Sequence, residues 1–146
     1  MKKALLLIPA LVYVFISCSK KNDKPLRYFE VGISSQQENW RDTSFVVATS
    51  NEQLIAKISE QLKKPVAQRQ IVTGELVKGN GGYNKNASHS FGWHFKEDNW
   101  ALTDMSIEIY DGRAYSDLDL NPNYWFNQMK RFAPWSSYIK REISKP

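Results

Sequence analysis

Cysteine is almost absent: Cys18 is the only one among 146 residues. No disulfide can therefore form within the chain, and every zinc site built on paired cysteines is excluded. Histidine is nearly as scarce, with His89 and His94 alone, and no HxH or HExxH spacing accompanies them, so neither a metal nor a cofactor is implied. No GxxxxGK[ST] phosphate loop, GxSxG nucleophile elbow, heptad run, internal repeat or low-complexity tract occurs. The longest apolar run, Ala4 to Ile16, is shorter than the ~20 residues a helix needs to cross a bilayer and contains Pro9, which argues against a permanent transmembrane anchor. Charge of one sign is not concentrated either. Lys2 and Lys3 belong to the N-terminal leader, leaving 18 of the 20 basic residues against 15 acidic ones, a dispersed net of about +3. Without clustered positive charge, no nucleic-acid partner is expected.

What is present begins at the N-terminus. Lys2 and Lys3, the apolar run, small Ser17 and then Cys18 form the layout of a secretory signal. Phe15-Ile16-Ser17-Cys18 resembles the lipobox of bacterial lipoproteins, with Phe15 in place of the usual leucine. That resemblance implies cleavage before Cys18, a diacylglyceryl thioether on its sulfur and an N-acyl group. With each buried methylene contributing ~0.8 kcal/mol, several chains together hold a protein stably on a membrane. Ser19 rather than aspartate after the cysteine implies, by analogy with lipoprotein sorting, the outer membrane over the inner. The expected organisation is a signal peptide over 1–17, a flexible tether over 18–25 carrying lipidated Cys18, and one domain over 26–146.

Within that domain, Phe29, Val31 and Ile33 alternate as in a half-buried strand, and Phe45-Val46-Val47-Ala48 forms a more continuously apolar one. Ser50 and Gln53 have capping-box spacing, after which Leu54, Ile55, Ile58 and Leu62 recur at helical intervals until Pro65. Gln70 to Lys78 reads as a strand with Gly74 as a bulge or close-approach point. Phe91 to Phe95 and Thr103 to Tyr110 read as neighbouring antiparallel strands joined by a short polar link. Ser116 to Arg131 is ambiguous, and Ser136 to Ile143 is a final strand. The fold class is α+β: an antiparallel sheet with one main helix packed on a face, in a single domain.

Three groups of residues are candidates for function. The stretch Gly79 to Ser90 has three glycines and three asparagines and reads as a long exposed loop, so Tyr83, Lys85 and His89 are candidate partner-binding residues. His94 would share a polar strand face with Asp104, Ser106 and Glu108, and a His94 pair with Asp104 or Glu108 could do the acid-base work of a small hydrolase. Trp93 alternates with Phe91 and Phe95 as a core face would. That leaves Trp40, Trp100, Trp125 and Trp135 as possible platforms for stacking a sugar.

The segments Arg69 to Gly74, Gly82-Tyr83-Asn84, Gly92 to Phe95, Met105 to Gly112 and Phe132 to Ser136 resemble, over about Ser44 to Ile143, the domain at the N-terminus of an amoebal calmodulin-binding protein. The same domain occurs in many small secreted bacterial proteins. The family pattern places one cysteine before Asp111-Gly112 and another before Pro134-Trp135. Here those positions are Tyr110 and Ala133, which implies paired loss of one disulfide and closeness of the two residues. The family implies a fold but no activity. The functional expectation is a lipid-anchored, non-enzymatic interaction domain of the bacterial cell envelope, meeting the membrane through Cys18 and an unidentified protein or envelope ligand through the loop. A small envelope hydrolase is the alternative.

Overall fold

The computed structural model describes residues 24–105 and 112–146. Cys18, Ser106, Glu108 and Tyr110 therefore lie outside the described residues, as does the expected contact between Tyr110 and Ala133. Two antiparallel three-stranded sheets and a small two-stranded ribbon carry the fold, with short helical segments between them.

The first sheet has β1 (Arg27–Ile33) at its centre, flanked by β2 (Ser44–Thr49) and by Ser137–Ile143, the last strand of the chain. After β2 comes α1 (Glu52–Leu62), and then β3 (Ile71–Lys78), β4 (Lys85–Asn86), β5 (His89–Ser90), β6 (Trp93–Thr103) and β7 (Arg131–Phe132), which makes Ser137–Ile143 β8. In the second sheet β3 is central, between β6 and β7, while β4 and β5 form the ribbon. A common core takes Phe29, Val31, Phe45, Val47 and Ile139 from the first sheet. Val72, Trp93, Phe95, Trp100 and Phe132 come from the second, and Leu54 and Ile58 from α1. Phe132 is ringed by Phe45, Trp93, Phe95 and Trp125 at centroid separations of 5.4–6.3 Å. Such aromatic pairs stabilise beyond their buried area.

The expected strands over 28–33, 45–48, 70–78 and 136–143 are all present. Three expectations need correction. First, there is no single sheet under one main helix: the strands divide into two sheets, and helical residues are spread over α1 and several shorter segments. The ambiguous stretch after Arg113 supplies two of these, wide turns over Ala114–Asp119 and Trp125–Met129 closed by i→i+5 bonds such as Lys130 N to Trp125 O at 2.7 Å. Second, α1 is capped by Asn51 rather than Ser50, its Oδ1 accepting from Gln53 N and Leu54 N at 3.0 and 3.1 Å. Ser50 instead gives both its N–H and its hydroxyl to Asp98.

Third, the polar link expected after Phe95 does not end the strand: β6 pairs with β3 on both sides of it, Trp93–Phe95 with Leu76–Lys78 and Trp100–Thr103 with Ile71–Gly74, while Lys96 to Asn99 form a bulge opposite Glu75. Lys96 to Asn99 are polar because they lie toward solvent on an edge strand. Gly74 sits flat on the Phe95 ring, where a Cβ would come within 2.5 Å of buried ring atoms. This is the close approach for which a strand glycine is used.

Candidate functional site

The stretch from Gly79 to Ser90 does not stand in solvent. Gly81, at φ +62, turns the chain back so tightly that a Cβ there would meet the Tyr83 and His94 rings at 2.8–2.9 Å. Tyr83, 2% exposed, packs on Val46 and Ala48. Its hydroxyl donates to Phe95 O at 3.0 Å and to Glu97 Oε1 at 3.2 Å. Burial, reinforced by the Glu97 carboxylate, pushes its phenol far above the ordinary tyrosine range, so it stays a neutral donor. Asn84, fully buried, accepts from Val46 N and donates to Trp93 O, each at 2.8 Å. Val46 lies on β2, an edge of the first sheet, and Trp93 on β6, an edge of the second. One amide thus fastens the two sheets together. The loop is a plug over the outer face of β2, and the expectation that it could add nothing to the core fails because Tyr83 and Asn84 supply what no aliphatic residue does.

The three loop candidates do not converge. Tyr83 faces inward, Lys85 is exposed with no ion pair among the described residues, and His89 is held by a partner. His89 Nε2 lies 2.8 Å from Asp119 Oδ2, while Asp119 Oδ1 accepts from Gly92 N at 2.8 Å. The imidazole stands edge-on to Phe91 and Tyr115, with centroids 5.0 Å away in both cases. A histidine held this way by a carboxylate has a fixed tautomer and orientation. Here it ties the β4–β5 ribbon to the turn over Ala114–Asp119. Asp119 is thirty residues from His89 in sequence, and no local spacing could have revealed it.

His94 is buried, with Nδ1–H donating to Gly79 O at 2.6 Å and Nε2 3.6 Å from Glu97. It cannot meet Asp104. His94 pairs with Val77 at one end of β3, whereas Thr103, just before Asp104, pairs with Ile71 at the other. At ~3.3 Å per residue the six residue steps of β3 between those positions put the two about 20 Å apart. Asp104 instead accepts from Gln70 Nε2 at 2.9 Å.

The tryptophans separate cleanly. Trp100 and Trp125 are core residues along with Trp93, Trp100 Nε1 donating to Ala48 O at 2.7 Å. Trp40 and Trp135 are 45% and 61% exposed. Arg41 lies over the Trp40 ring at 4.8 Å and over the Tyr115 ring at 4.9 Å, so a cation already covers Trp40. Its neighbour Asp42, buried, accepts from Tyr115 N, Ser116 N and Ser116 Oγ and caps the turn that follows. Trp135 lines a cleft of about 260 Å³ with Ser35, Gln36, Gln37, Arg113 and Ser136. Among the described residues no group of three or more His, Cys, Asp or Glu side chains is placed to hold a metal ion, and no helix is long and apolar enough to cross a membrane.

The architecture can be set beside known families. A family model for the BP-74 N-terminal domain matches residues 26–146, from the residue before β1 to the end of the chain. The chain belongs to that family. The match takes in β1, so the BP-74 N-terminal domain starts before Ser44, where the resemblance in the sequence was first visible. Ala133 is buried. No curated protein and no solved structure matches significantly.

Proposed function

We propose that this domain is a lipid-anchored, non-enzymatic interaction module of a bacterial cell envelope, held by acyl chains on Cys18 and facing the space beyond the outer membrane's lipid surface. The observation that carries the proposal is the position of the sole cysteine, directly behind the apolar run from Ala4 to Ile16 and directly before a polar stretch. The separation of His94 from Asp104 counts against one of the two acid-base pairs, His94 with Asp104, whereas the other, His94 with Glu108, involves a residue outside the described ones. The burial of Tyr83 and the engagement of His89 by Asp119 leave Lys85 as the one of the three loop candidates that is exposed and unpaired among the described residues.

Labelling with radioactive palmitate tests the anchor. The wild-type protein is expected to take up label and to sediment with membranes, and Cys18→Ala to lose both. Export of an unlabelled wild-type protein would refute the proposal. A pull-down from envelope extracts tests the binding role, which predicts a stoichiometric partner.

A further inference from the structure

We infer that the Trp135 cleft is a carbohydrate-binding site for a carboxylate-bearing pyranoside, a uronic- or muramic-type residue of an acidic glycan. Trp135 is the one tryptophan whose ring is both exposed and vacant. Among the described residues no ring or cation stacks on it, and its indole N–H has no hydrogen-bond partner. The axial C–H face of a pyranose is the apolar surface such a ring accepts, and an indole adds a polar edge beside it. Around Trp135 the cleft is polar and already organised. Gln37 Nε2 donates to Ser35 Oγ at 2.8 Å, and Ser35 Oγ and Ser136 Oγ share a bond at 2.8 Å. That network fixes the floor while leaving Gln37 Oε1 and the whole Gln36 amide free to pair with sugar hydroxyls. Amide and hydroxyl pairs beside a flat aromatic surface match a sugar better than a nucleobase or an apolar peptide.

Arg113 supplies the charge selection. Arg113 lines the cleft and is exposed, and among the described residues its guanidinium has no acidic or hydrogen-bonding partner and no carboxylate lines the cleft. An unpaired guanidinium is a ready bidentate site for a sugar carboxylate. At about 260 Å³ the cleft is a little below the ~300 Å³ where pockets for drug-sized ligands begin, so it holds one ring of a longer chain. The placement also suits an anchored protein. β1 starts at Arg27, three residues after Lys24, and ends at Ile33, where Ser34 N donates to Ser136 O at 2.8 Å. Trp135 is thus one strand length, about 20 Å, from the tether end. This placement rests on the lipid-anchor reading, whereas the chemistry of the cleft does not.

The test titrates full-length protein in detergent with tetragalacturonate, its neutral methyl ester and the N-acetylglucosamine tetramer, read by tryptophan emission and calorimetry. Saturable binding of the acid is expected, weaker by roughly tenfold for the ester. Trp135→Ala should lose binding with thermal stability unchanged, and Arg113→Gln should bring acid and ester to equal affinity. Absence of saturable binding by the wild type, or binding that survives Trp135→Ala, overturns the inference. A second arm anchors the protein in phosphatidylglycerol vesicles carrying doxyl-labelled lipid. Emission lost in Trp135→Phe should be unquenched there, and quenching would make Trp135 a membrane contact instead. Failure of palmitate labelling alongside intact sugar binding would refute the anchor alone.

Discussion

Replacing Asn84 by alanine removes a side chain that bonds the backbones of both edge strands at once. Val46 N and Trp93 O each lose a 2.8 Å partner, and both lie where water cannot substitute, since Val46, Trp93 and Asn84 are all buried. A buried backbone group left unpaired costs about 1–3 kcal/mol, so the pair should cost about 2–6 kcal/mol. That is a large share of the ~5–15 kcal/mol by which domains of this size are stable. At roughly 4 °C per kcal/mol, the melting temperature should fall by about 8–24 °C. Urea denaturation followed by tryptophan emission gives the free energy, and hydrogen exchange at the Val46 amide reports the specific bond. Asn84→Asp keeps the acceptor for Val46 N but turns a carboxylate oxygen toward Trp93 O, so it should destabilise at least as much. Exposed Lys85→Ala is the control and should stay within about 0.5 kcal/mol. A loss below about 1 kcal/mol in Asn84→Ala, or retained protection at Val46, would refute the clamp.

Gly74→Ala should destabilise by about 1–3 kcal/mol in a denaturation curve, because its Cβ would overlap a Phe95 ring that the core leaves no room to move. Asp98 accepts from Thr49 Oγ1, Ser50 N, Ser50 Oγ and Asn51 N at 2.7–3.0 Å. Partial burial raises its pKa, but the hydrogen bonds outweigh that and hold the carboxyl below its usual range. Its contribution is therefore present above the unfolded value near ~3.9 and is lost as pH falls through the folded one. Asp98→Asn should cost about 1 kcal/mol at pH 7, modest because the site is solvent-screened. The gap from wild type should close as melting is followed down toward pH ~3, and a constant gap would contradict the carboxylate's role. Shortening Gly79 to Ser90 to an Asn-Gly turn should prevent folding, since it deletes Tyr83 and Asn84, whereas a merely solvated loop would tolerate it.

Much of the strand pattern was legible because period-2 alternation survives wherever one face is buried, as at Phe29, Val31 and Ile33 in β1. What misled was the meaning given to polarity. Lys96 to Asn99 read as a polar link between two strands, and they do face solvent, but they form a bulge opposite Glu75 after which β6 resumes its pairing with β3. The glycines and asparagines of the 79–90 stretch read as solvent, yet Asn84 is polar because it must satisfy two backbone groups in the interior. The His89–Asp119 pair was out of reach, since its members meet only through the fold.

One signal in the sequence did point to the plug. Phe45, Val46, Val47 and Ala48 are apolar at four consecutive positions, and a strand covered on a single face would have alternated. Phe45 and Val47 face the shared core, so Val46 and Ala48 required a second cover that no other apolar segment was free to provide. Tyr83 is that cover, and its Gly81 turn is what brings it there. Once the 79–90 stretch is committed to structure, an exposed residue with no structural partner becomes the better indicator of a ligand than loop length. By that criterion Trp135 and Arg113 stand out over every residue of the loop except Lys85.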